Sequence, residues 1–453
     1  MKTNKSWLAV CRERIAAISH PRRSFVTGAA TLALLFSISN VSADTHYVLL
    51  ASTRPKTPFT TWTTAATNIQ QAVDVATAGD EVVVGDGVYA TGSRQLGTDF
   101  VRVLADKAIA LRSANGPQVT VIDGGLQVLC VAVVEGASLT GFTVRNGYSY
   151  NGLWTGPAGG IYCFSTNVLV TGCVITGSRA NRGGGIYSGT LFNCTLSGNT
   201  AVVLGGGGVP PEAGEGGGAY GSVLYNCTLT GNKALYGGGA AYCTLHNCTL
   251  TGNTANGAAI RTPFGTSYLP GVGAGASSSS LHNCMLTGNS STDEGGGASS
   301  SSLYNCTLTG NSSTDVGGGV SSSSLYNCTL TGNSSAGICG GVHDSELYNC
   351  ILYFNTVPKQ SGGANYDSTS ILSYCCTAPL PRTGSGNFSL SKNGVNTLFV
   401  DYAGGNLRLR SGSPCINAGN NAYVSTATDL EGNPRILGGI VDVGAYEFQG
   451  AAH

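Results

Sequence analysis

The chain has 453 residues, 68 of them Gly, with 23 basic and 23 acidic side chains. Charged residues make up 10% of it, against roughly 25% in an ordinary globular domain, and with residues 1–43 set aside the balance is mildly acidic, which argues against nucleic-acid binding. Apolar residues reach 42%, too many for a wholly disordered chain.

Residues 1–43 read as a signal peptide. Lys2, Lys5, Arg12, Arg14, Arg22 and Arg23 form a basic n-region, "VTGAATLALLFSIS" is a short apolar stretch, and "VSA" ends at Ala43 as a small-residue cleavage site. "PRRSFV" resembles a twin-arginine export signal, with ordinary secretion as the alternative. Removing this segment leaves a net charge near −5 and no later stretch apolar enough to span a membrane.

Residues 44–79 read as an N-terminal cap, covering an open end that would otherwise present unpaired strand edges. Within "TNIQQAVDVATAGD", Thr67 is the expected helix N-cap. Ile69, Ala72, Val73 and Ala76 then line one face, and Gly79 stops the helix.

Residues 80–372 carry a repeat. The motif cysteines Cys173, Cys194, Cys227, Cys248, Cys284, Cys306, Cys328 and Cys350 are separated by 21, 33, 21, 36, 22, 22 and 22 residues. The residue after each Gly cluster, from Ile186 onward, keeps the same step. Two markers in phase indicate a structural unit. Within "CTLT" apolar and polar residues alternate, so Cys306 and Leu308 are expected to point in and Thr307 and Thr309 out. Short strands with Asn and Gly corners, at about 22 residues per unit, predict an all-β, single-stranded parallel β-helix (solenoid) of about a dozen coils, about 4.8 Å apart. Equivalent residues stack. Asn305, Asn327 and Asn349 should form one amide ladder, and Asn311, Asn333 and Asn355 another. The stacked cysteines read as free buried thiols that fill space, because in-register parallel side chains rarely give a disulfide dihedral.

The gaps of 33 and 36 mark insertions. "TAVVLGGGGVPPEAGE" follows Asn199, "TANGAAIRTPFGTSYLP" follows Asn253, and "GYSYNGLWTGPA" follows Asn146. All three fall between the "TGN" strand and the Gly run, so they should stand on one edge. Tyr148, Tyr150, Trp154, Tyr236, Arg261, Phe264 and Tyr268 are the candidate ligand-binding residues there. Aromatic faces stack on sugars and charges bind hydroxyl or uronate groups, so the expected partner is a polysaccharide or cell-surface glycan. The alternative is that these are ordinary surface loops. For catalysis, the weak candidates are the carboxylates Glu212 and Glu215, which a glycosidase would need as a pair, and the bases Lys233, Arg179 and Arg182, which a lyase would need. No cofactor is expected. Asp293, Glu294 and Asp315 are a weak Ca²⁺ candidate, and solvated corner charges are the simpler reading. The outward pairs Thr228/Thr230, Thr249/Thr251, Thr307/Thr309 and Thr329/Thr331 make a T-x-T array, similar to the ice-binding face of some β-helical antifreeze proteins.

Residues 373–453 lose the period and read as a β-rich C-terminal cap. Asp429, Arg435, Asp442 and Glu447 are expected to hold it through an internal ion pair. The segments "TTWTTAATNIQQAVDVATAGDEVVVGDGVY" and "DLEGNPRILGGIVDVGAYEF" resemble the opening and closing parts of secreted bacterial right-handed parallel β-helix proteins that end in a choice-of-anchor Q domain. The "CTLTGN…GGG" coils are similar to those of polymorphic outer-membrane proteins. The resemblance implies export, often to the cell surface, and a fold shared with pectate lyases. It implies no particular reaction. The leading expectation is an adhesive or glycan-binding module, monomeric and non-catalytic, with a polysaccharide lyase or glycoside hydrolase as the alternative.

Overall fold

The computed structural model describes residues 43–149, 158–202, 214–262, 265–358, 363–391 and 396–450, with backbone alone at 260–262. Four parallel sheets of 13, 12, 11 and 7 strands run along one axis. Each turn of chain adds one strand to each sheet, which defines a right-handed parallel β-helix. In the coil that begins at Ser302, Ser302–Tyr304 lies in the first sheet and Thr307–Thr309 in the second. Ser312–Ser313 lies in the short fourth sheet and Val320–Ser321 in the third. The next coil repeats the pairing residue for residue, with Leu303 beside Leu325 and Leu308 beside Leu330.

Corners explain the composition. Four residues of this coil, Asn305, Gly310, Gly317 and Ser322, take φ between 51° and 62°, the left-handed region that Gly and Asn tolerate best. After three of these corners the next residue points inward. Its amide finds no carbonyl opposite, and a side chain one coil on accepts the hydrogen bond instead. Cys306 N donates to Cys328 Sγ at 3.4 Å, Asn311 N to Asn333 Oδ1 at 3.0 Å, and Ser301 N to Ser323 Oγ at 3.2 Å. The cysteine column is therefore a hydrogen-bonding ladder as well as filler. The Asn311 ladder is present, whereas the expected Asn305–Asn327–Asn349 ladder is interrupted, because Asn305 donates to Asn283, Asn327 donates to the tail carbonyl of Tyr423, and Asn305 Oδ1 has no partner among the described residues. The Asn305 series turns the corner, and Asn349 Nδ2 donates to Asn327 Oδ1 at 3.0 Å. The Asn311 series is wholly buried, and Gly310 takes the positive φ in its place.

At the fourth corner a Cβ on Gly318 would overlap the Ser334 carbonyl. Two backbone layers meet there, so the Gly run is a packing requirement. All 15 described cysteines are free and buried, and burial pushes the thiols of Cys284, Cys306, Cys328 and Cys350 well above their usual range.

The two ends differ from expectation. The strand β1 (Thr45–Val48) pairs in parallel with β2 (Glu81–Val84), so the cap segment itself supplies the first rung. The helix α1 (Ile69–Val75) buries Ile69, Ala72 and Val73. Its N-cap is Asn68 rather than Thr67, because the Asn68 side chain accepts from Gln70 N at 2.8 Å.

At the other end the tail folds back along the outside of the last coils. Asn349 Nδ2 donates to Asn420 O at 3.0 Å, and Asn305 Nδ2 to Thr428 O at 2.7 Å. Ala445 N donates to Thr329 Oγ1 at 3.0 Å. Thr307, Thr329 and Thr331 are buried beneath it, so the threonine array is not a continuous open face, which removes the basis for ice binding. Nor does the tail close on the expected ion pair. Arg435 Nη2 donates to the carbonyls of Asp442 and Gly444 at 2.8 and 2.7 Å. The carboxylates hold loop amides instead: Asn433 N donates to Asp429 Oδ1 at 2.9 Å, Asn417 N to Asp442 Oδ1 at 2.6 Å, and Leu437 N to Glu447 Oε1 at 2.8 Å.

Candidate functional site

The insertions spring from one corner. In the outward column there, Tyr148 bridges to Arg179, Arg179 pairs with Thr200, Thr200 with Lys233, and Lys233 with Thr254. Segments 150–157, 203–213 and 256–271 follow this column in coils that stack in register. Tyr150, Trp154, Glu212 and Phe264 lie outside the described residues, as does the Arg261 side chain. The third insertion is an antiparallel hairpin, Ala258–Thr262 with Gly265–Leu269.

Three of the candidate residues come together. Arg182, Glu215 and Tyr236 occupy successive rungs of one column. Arg182 Nε lies 2.9 Å from Glu215 Oε2, and its guanidinium sits 5.7 Å from the centroid of the Tyr220 ring, within cation–π range. Burial pushes the Tyr220 hydroxyl up to about 12, and the Glu215 charge adds to the shift. Burial, then Glu215, raises Tyr236 as well. Both phenols therefore stay protonated donors at neutral pH.

Tyr220 belongs to an outward row on the third sheet. Tyr162 and Tyr187 are 5.6 Å apart, Tyr187 and Tyr220 5.2 Å, and Tyr220 and Tyr242 5.3 Å. The reading of the loops missed this row. Its sign is the aromatic residue two places after the Gly cluster in "GGIY", "GGGIY" and "GGGAY", and three places after it in "GGGAAY".

The remaining candidates stand apart. Arg179 and Lys233 are exposed, two rungs from each other, on the neighbouring column. Tyr268 is exposed on the hairpin, and its hydroxyl donates to Asp293 Oδ2 at 2.9 Å. Asp293 Oδ2 also accepts from Thr292 Oγ1 at 2.8 Å and Gly271 N at 2.7 Å, so it anchors the root of the hairpin. Glu294 accepts from Ser321 Oγ at 3.3 Å, and its rung neighbour is Val316. No group of three His, Cys, Asp or Glu side chains converges on a metal position among the described residues.

A second row of rings runs along the first sheet, from Phe192 through Tyr225, His246, His282, Tyr304 and Tyr326 to Tyr348. Centroid spacings within it are 4.7–5.2 Å. Tyr423 of the tail closes it, 4.4 Å from Tyr348. These rings stack on one another and turn only their edges outward.

No family model matches the chain, and no curated protein matches it. Among solved structures it is similar to pectate lyase Pel9A, at 14% identity over 90% of this chain and 97% of that one, with TM-score 0.44. It is also similar to a rhamnogalacturonan lyase, at 12% identity over 88% and 96%, with TM-score 0.39. The Dettilon tailspike protein matches at 11% identity over 73% and 65%, with TM-score 0.31. The class of the molecule, a parallel β-helix solenoid, rests on its own strand registers. Among the described residues no helix is long and apolar enough to cross a membrane.

Proposed function

We propose that this chain is an exported β-helix module that binds polysaccharide along the insertion edge and does not cleave it. The observation that carries this reading is the Arg182–Glu215 pair set against the Tyr187–Tyr220–Tyr242 row. Rings and protonated phenols suit the C–H faces and hydroxyls of sugars. The hairpin Ala258–Thr262 with Gly265–Leu269 is rooted at the same corner and carries Tyr268.

The same pair weighs against a lyase or hydrolase. Glu215 is held by the Arg182 guanidinium, whereas a catalytic carboxylate must be free to reach the substrate. Export follows from the basic and apolar character of residues 1–43, and the choice-of-anchor Q resemblance of the tail suits a surface-attached, monomeric adhesin. No resident cofactor is part of this reading. Binding on a glycan array, without reducing-sugar or unsaturated-uronate release from the bound polysaccharides, is the expected result. Release of either product, lost on Arg182→Ala or Lys233→Ala, would make the chain an enzyme.

A further inference from the structure

Between the folded-back tail and the corner of the first and second sheets lies a cleft of about 420 Å³. Asn247, Thr249, Asn283 and Met285 line it from the coils, and Thr428, Leu430, Glu431 and Tyr446 from the tail. Its volume lies in the range of small-molecule pockets. It is on a different corner from the insertion edge.

The corner asparagines tell what the cleft lacks. Each of Asn305, Asn327 and Asn349 donates its amide to a tail carbonyl, those of Thr428, Tyr423 and Asn420. Asn349 also accepts from Asn420 N at 2.8 Å, so a single carboxamide both gives and takes. One and two rungs further toward the N-terminus, at Asn283 and Asn247, the tail lines the cleft without a hydrogen bond to the column among the described residues. Asn283 keeps Oδ1 on Asn305, and the Asn247 carboxamide makes no hydrogen bond among the described residues. The Tyr446 hydroxyl likewise has none, and burial holds it protonated. Met285, 43% exposed, and Leu430 supply an apolar patch beside these groups.

Paired donors and acceptors around a small apolar patch match the hydroxyls and C–H face of a sugar ring. Glu431 is ion-paired to Arg408 and Asp429 is buried close by, so the cleft has no unmatched cation to receive a carboxylate. We infer that this cleft is a second saccharide site, selective for one or two neutral sugar residues over uronates. It deepens the glycan-binding reading but uses none of the edge residues.

Saturation-transfer NMR on the full chain, with cellobiose, lactose and maltose as neutral probes and digalacturonate as the charged one, tests it. At least one neutral disaccharide should receive saturation and digalacturonate should not. Asn247→Gly removes the carboxamide at a corner where φ is 53°, a conformation Gly adopts without strain. Tyr446→Phe removes one hydroxyl. Each variant should weaken neutral-sugar binding at least fivefold, and Arg54→Ala, exposed at the N-terminal end of the solenoid, should leave it unchanged. The inference is overturned if no neutral probe is saturated, if digalacturonate binds as well as the neutral probes, or if Asn247→Gly binds like the parent. Loss on Tyr220→Ala with none on Asn247→Gly would return all sugar binding to the edge.

Discussion

The backbone amide of Asn311 donates to Oδ1 of Asn333, one coil on, and Asn333 Nδ2 donates back to Leu308 O at 2.9 Å. One buried carboxamide thus closes two backbone groups that the corner leaves open. Asn333→Ala should cost roughly 2–4 kcal/mol, since each unsatisfied buried group carries about 1–3 kcal/mol. Chemical denaturation would read the loss, and a change under 1 kcal/mol would mean that water replaces the ladder.

The cysteine and serine columns do the same work at different corners, which makes them interchangeable in role. Cys328→Ser keeps an acceptor for the Cys306 amide and should lie within about 1 kcal/mol of the parent. Cys328→Ala removes the acceptor and should cost about 1–3 kcal/mol. The order of the two midpoints is the readout, and Ala at or above Ser would deny the hydrogen-bonding role. The buried column should also resist iodoacetamide at pH 8 in the native state, all described thiols becoming reactive only on unfolding.

Much of this was legible in the sequence. The 22-residue period, the inward Cys306 and Leu308, and both Asn columns follow from spacing and alternation, because stacking in register repeats a local rule. What alternation cannot show is cover. Thr307, Thr329 and Thr331 read as outward, and they are outward from the core, yet a tail 116 residues further along the chain lies on Thr329. The Ser323 column gives no sign of burial in the sequence because Ser is usually exposed, whereas here its hydroxyl replaces a missing carbonyl. At the site, Arg182, Glu215 and Tyr236 came from the insertion arithmetic. The tyrosine row is not legible from insertion spacing, because its residues lie in the regular coils, after each Gly run.

Stability of the tail should depend on pH. Burial raises Glu447 to about 7 from an ordinary 4.5, and Asp442 is also raised by burial. The folded tail therefore binds protons more tightly than the unfolded one. That contribution is complete below pH 4.5 and is lost as pH rises through about 7, a change on the order of 3 kcal/mol for Glu447. Proteolysis of the tail should accelerate between pH 5.5 and 8, and Glu447→Gln should flatten that dependence. An unchanged slope in the variant would place the titration elsewhere.

Thr329→Ala should loosen the same tail, because Ala445 N loses its acceptor, at a cost of about 1–3 kcal/mol. Thr228→Ala, further along the same second-sheet column and exposed, should change stability by less than about 0.5 kcal/mol. Equal effects would mean that the tail does not rest on this face.

The central claim is recognition of a polysaccharide at the insertion edge without turnover. The most direct measurement follows binding and product release together, for the parent and Tyr220→Ala, on one panel of neutral and uronate-containing polysaccharides. The account predicts that the parent binds at least one polymer and releases no reducing ends or unsaturated uronate. Tyr220→Ala should bind that polymer about 10-fold more weakly, the 1–2 kcal/mol of a ring at a contact centre, while melting as the parent does. Equal binding by the two proteins, or product released by the parent, would contradict it.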